Sequence, residues 1–155
     1  MDSWSEQEIC LEQVMPLMKE HLASGQTVRF SPRGISMRPL LRQGRDKVIL
    51  SAVTGRLKKY DLPLYQRDDG KYVLHRVVDV GEFYTCIGDN QHKLEYGVRD
   101  DQLIAVTTGF VRNGREFSAS NILYRIYCPV WHRLRPLKRI LGKLKRSIRG
   151  RLARK

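Results

Sequence analysis

A serine in a glycine-marked loop, a histidine in an apolar run and several carboxylates downstream are the residues of this sequence whose types and order suit nucleophilic acyl transfer. The loop is Ser31-Pro32-Arg33-Gly34-Ile35-Ser36-Met37-Arg38-Pro39-Leu40-Leu41. Gly34 leaves room beside the backbone for a substrate carbonyl, and a turn here can present the Ser36 hydroxyl while backbone N–H groups face a developing oxyanion. Such a serine needs a base. His75, in Lys71-Tyr72-Val73-Leu74-His75-Arg76-Val77-Val78, sits in a strand-like run that can hold an imidazole rigidly, and an imidazole is suited to taking and returning a proton near neutrality. His21, His92 and His132 fall on a predicted helix, a polar loop and the basic tail, and are less suited. A carboxylate would fix the tautomer of the imidazole and balance its charge. Asp89, in Gly88-Asp89-Asn90 after the predicted strand Phe83 to Ile87, is the first choice, with an Asx turn as its alternative reading. Glu95, Asp100 and Asp101 are the substitutes.

The elements that must carry these residues follow from periodicity. Residues 5 to 24 read as one helix: Ser5 and Glu8 form a capping box, Ile9, Val14, Met18 and Leu22 recur at helical spacing, and Gly25 can close it. Pro16 argues against its continuity. From Thr27 to Phe117 the pattern changes to short β-like runs, Val28 to Phe30, Lys47 to Ala52, Tyr72 to Val80, Phe83 to Ile87 and Leu103 to Arg112, with a last one at Arg115 to Phe117. Asp68-Asp69-Gly70, Val80-Gly81-Glu82 and Asn113-Gly114 are turn signals. After Ser118 helical spacing returns at Leu123, Ile126, Tyr127, Val130, Trp131, Leu134, Leu137, Ile140, Leu141, Leu144, Ile148 and Leu152, with Pro129 and Pro136 expected to bend or divide the helix. The expected architecture is an N-terminal helix over 1–26, a mainly β domain over 27–117, and a basic amphipathic C-terminal helix or arm over 118–155.

Taken in order, Ser36-Met37 followed by Pro39, Tyr60-Asp61 with Leu64-Tyr65, His75-Arg76-Val77 and Gly88-Asp89-Asn90 resemble the successive boxes of the type I signal peptidase family. The likeness spans roughly residues 28 to 110 and is closest to the Ser-His branch found in archaea and the endoplasmic reticulum. It implies antiparallel sheets around a peptide-binding groove, and hydrolysis of a peptide bond through an acyl-enzyme without a metal or other cofactor. By position, Ser36 would attack, His75 would act as general base, Asp89 would orient His75, and the backbone N–H groups of Ser36 and Ile35 would hold the oxyanion. The family binds substrates as extended strands with small side chains near the cut, a form of β-addition. Gly34 stands where many signal peptidases have a serine, and Gly34-Ile35-Ser36-Met37 is similar to LexA-type self-cleaving repressors. Those use a Ser-Lys dyad, but Lys71 lies four residues from His75, roughly 13 Å along a strand. Residues 1–30 contain neither Ala-Gly nor Cys-Gly, the usual self-cleavage pairs.

Charge is divided unevenly over the 155 residues, whose formal net charge is +13. All 16 Asp and Glu lie at or before Glu116, with 17 Lys and Arg, whereas residues 117–155 hold 12 Lys and Arg and no acid. The near-neutral first part must therefore be read from its side chains, and the tail from its charge. Anionic membrane would meet residues 120–155 through the apolar stripe, with Trp131, Tyr124 and Tyr127 at the headgroups; nucleic acid would require only the charge. Cys10, Cys86 and Cys128 are odd in number and scattered, unlike a disulfide framework or a zinc site. The acidic start, Met1-Asp2-Ser3-Trp4-Ser5-Glu6, is unlike a secretory leader, and no apolar stretch approaches the ~18 residues of a membrane span. The expectation is a cytoplasmic serine peptidase, peripheral on the inner membrane face, that removes a leader from a small ribosomally made peptide. The rival readings are an inactive peptide-binding module and a self-cleaving, DNA-associated regulator.

Overall fold

The computed structural model describes residues 11–134. Helix α1 (Leu11–Ala23) runs through Pro16 without a break. Its C-terminus is closed by Gly25 in the left-handed region (φ 77°), with Gln26 N–H donating to His21 O and Gly25 N–H to Leu22 O, both at 3.0 Å. This pair of bonds consumes carbonyls that the helix end leaves unpaired. The expected Ser5–Glu8 capping box lies outside the described residues.

The chain is mainly β. Strands β1 (Val28–Phe30), β2 (Asp46–Ser51), β3 (Pro63–Gln66), β4 (Tyr72–Leu74), β8 (Leu103–Arg112) and β9 (Arg115–Ser118) form one antiparallel sheet in the order β1-β2-β8-β3-β4, with β9 also on β8. Strands β5 (Arg76–Val80), β6 (Tyr84–Ile87) and β7 (Glu95–Val98) form a second. Asn113 and Gly114, with φ of 50° and 73°, make the tight β8–β9 turn, whose twist suits a two-residue hairpin. Gly70 closes the β3–β4 hairpin and Gly81 the β5–β6 hairpin.

The predicted strand Tyr72 to Val80 is two strands in different sheets, broken at His75. Continuous β propensity hid the break, because the chain leaves β4 after pairing Leu74 with Leu64 and re-pairs from Arg76 opposite Ile87. His75 N–H donates to Pro63 O across the step. The histidine is thus fixed where the two sheets meet.

Met15, Met18 and Leu22 of α1 share a core with Val48, Leu50, Leu64, Leu74, Ala105 and Phe110, while Tyr65, Val77, Tyr84, Cys86 and Val98 form a second cluster. A final helix, α2, is described over residues 122–134 and passes Pro129 unbroken. Tyr124, Tyr127 and Trp131 of α2 turn inward against the domain rather than toward headgroups. Among the described residues no helix is long and apolar enough to cross a membrane.

Candidate functional site

Ser36 and His75 line one groove of about 880 Å³. Ser36 opens a turn held by Leu41 N–H to Met37 O (2.9 Å) and Arg38 N–H to Ile35 O (3.2 Å). Gly34, at φ 88°, bends the approach, and its N–H donates to Gln43 Oε1 at 2.8 Å. Ile35 points its side chain to solvent while Ser36 is half-buried. No hydrogen bond joins the Ser36 and His75 side chains in this conformation, although both face the groove.

The carboxylate at His75 is Glu95, not Asp89. Nδ1 of His75 lies 2.9 Å from Glu95 Oε1, within ion-pair reach but without straight hydrogen-bond alignment. Glu95 also accepts from Tyr65 Oη at 2.7 Å and Arg67 Nε at 2.9 Å, and from Arg67 Nη2. Tyr65 stands edge-on to the His75 ring at 6.4 Å between centroids. Burial by itself would raise the Glu95 pKa, but the adjacent His75 and the bonds from Arg67 and Tyr65 outweigh it and hold the carboxyl well below its usual range. The same neighbourhood, through burial first and then the Glu95 charge, pushes the Cys86 thiol up to about 12. Glu95 therefore stays an acceptor beside Nδ1 of the imidazole.

Asp89 is occupied elsewhere. Its carboxylate receives Arg76 Nε at 2.7 Å and Nη2 at 2.8 Å, in a pair whose side chains are each 2% exposed, and Tyr127 Oη at 3.0 Å. Trp131 Nε1 donates to the Asp89 carbonyl at 2.9 Å. Arg76 Nη1 reaches Tyr124 Oη and Cys128 Sγ, both at 2.9 Å, and Tyr60 O at 3.2 Å. Burial opposes the charge on Arg76, yet Asp89 raises its pKa well above the ordinary value. Of the other candidate acids, Asp100 holds Tyr84 and Arg56, and Asp101 pairs with Arg99. Lys71 pairs with Asp69 at 3.5 Å and is exposed.

The Gly88-Asp89-Asn90 box serves the serine from behind. Asn90 N–H donates to Ser36 O at 2.7 Å. A Cβ on Gly88 would stand 2.7 Å from Ser36 O and 3.1 Å from Ser36 Cβ, so only glycine lets the two loops meet. Asp89, between them, ties the box to Arg76 and α2. Sequence reasoning did not single out Gly88, Asn90, Tyr65 or Arg67 as supports; the box itself was the available signal for the first two. Gly88→Ala is expected to push the Ser36 loop out of place, costing about 1–3 kcal/mol of stability, as read by thermal unfolding.

Comparison with family models, curated proteins and solved structures gives no match.

Proposed function

We propose that this chain is a serine peptidase working through Ser36, His75 and Glu95. The observation that carries the reading is a histidine sharing a groove with a turn-mounted serine while its Nδ1 lies 2.9 Å from the Glu95 carboxylate. In the proposed reaction Ser36 Oγ attacks the substrate carbonyl as His75 Nε2 takes its proton, and the Ile35 and Ser36 N–H groups receive the oxyanion. His75 then returns the proton to the leaving amine, and water repeats the cycle on the ester. Glu95 holds the tautomer with Nδ1–H and offsets the imidazolium charge. The assignment keeps the resemblance to the Ser-His signal peptidases but moves the third role from Asp89 to Glu95.

The groove also suits a peptide. Phe30, at the end of edge strand β1, and Tyr72, Val73 and Leu74, of edge strand β4, line it. Their unpaired backbone groups would accept an extended chain by β-addition. Removal of a leader from a small peptide inside the cell is the role we attach to this chemistry. A fluorophosphonate probe tests it: the adduct is expected on Ser36 by peptide mass mapping, and absent in His75→Ala. A folded wild-type protein that gives no adduct would favour the peptide-binding module.

A further inference from the structure

Helix α2 has two unlike faces. The inner one, with Tyr124, Tyr127, Cys128 and Trp131, is spent on Arg76 and Asp89. On the outer one Ile122, Leu123, Ile126, Val130 and Leu134 are 65%, 74%, 54%, 48% and 43% exposed. Ile122, Ile126, Val130 and Leu134 recur every four residues and so stand in one row along the helix. A row of large aliphatic side chains facing water marks a surface that has a partner.

Charge identifies the partner. Residues 117–155 carry 12 Lys and Arg and no acid, and Leu137, Leu141, Leu144, Ile148 and Leu152 continue the aliphatic spacing in the sequence. A second copy of the chain would bring the same positive charge against itself. A nucleic acid would meet the cations but leave the aliphatic row in water. Anionic lipid satisfies both, with acyl chains against the row and headgroups against the basic residues. We propose that the outer row of α2 seats the protein on an anionic bilayer surface, centred on Ile126 and Val130, while the aromatic face stays docked on the domain. The sequence had assigned the headgroup contact to Trp131, Tyr124 and Tyr127, which the fold uses internally.

Co-sedimentation of the full chain with phosphatidylcholine vesicles, with and without phosphatidylglycerol, tests this. Wild type is expected to bind only the phosphatidylglycerol vesicles. The double variant Ile126→Ser/Val130→Ser keeps the net charge and leaves the Arg76 and Asp89 contacts of α2 in place; it is expected to stay folded, to bind them roughly tenfold or more weakly and to keep its affinity for a DNA duplex. Equal vesicle binding by the double variant would overturn the proposal, as would duplex binding without vesicle binding, or a wild-type dimer that the two serines dissolve. The outcome is separable from the peptidase reading, because Ser36→Ala should sediment like wild type and the double variant should still take the fluorophosphonate at Ser36.

Discussion

On the proposed mechanism, Glu95→Gln is expected to lower kcat for peptide hydrolysis by about 10⁴-fold, the scale seen when a triad carboxylate becomes an amide, while leaving a folded protein. The shape of the side chain is kept. What changes is the charge facing His75 Nδ1 at 2.9 Å, so the imidazolium formed during attack has no counter-charge and the tautomer is no longer fixed. Tyr65 and Arg67 lose part of a charge-assisted acceptor as well, which is expected to cost about 1–3 kcal/mol of stability. The pH dependence gives an independent check. Because the carboxyl is held below its ordinary value in the folded chain, its stabilising contribution is complete above the unfolded carboxylate range near ~4.3 and drains away as pH falls below it. Thermal unfolding of wild type should therefore lose more between neutral and acid pH than that of Glu95→Gln. A variant that hydrolyses peptide at the wild-type rate would remove Glu95 from the mechanism.

Asp89→Ala should behave in the opposite way, failing in stability before chemistry. It strands a guanidinium that is 2% exposed, and removal of one partner from a buried pair costs about 3–5 kcal/mol, a large part of the ~5–15 kcal/mol that holds a domain together. Tyr127 loses its acceptor in the same step. The double replacement Arg76→Met/Asp89→Leu, which leaves no buried charge, is expected to recover much of the loss in urea unfolding. If Asp89→Ala instead melted like wild type and lost only turnover, Asp89 would be acting on His75 after all, and the assignment to Glu95 would fall.

These two carboxylates show how far the sequence carries. Ser36 and His75 could be paired because each comes with a local signal, a glycine-bent loop and an apolar strand, and the groove does hold both. The third residue has no local signal. Asp89 and Glu95 follow His75 by 14 and 20 positions, and which reaches the imidazole depends on the step between the two sheets at His75 and on β7 pairing Glu95 with Cys86. The long β8, the Asn113-Gly114 turn and the mainly β character were legible from alternation and turn chemistry. The short β3 and β7 were not, since Pro63–Gln66 is buried along most of its length and Glu95–Val98 is mostly open, so neither alternates. The tail was read by its charge and its apolar spacing, neither of which tells that the aromatic side of α2 grips Asp89.

That grip bears on the smallest length of chain able to fold. Residues 27–118 look self-sufficient because they hold all the described strands. Cut there, however, the chain would lose Met15, Met18 and Leu22 from its main core, and Tyr127 and Trp131 from above the Arg76–Asp89 pair. Helices α1 and α2 are walls of the same room, and removing either opens the interior to water.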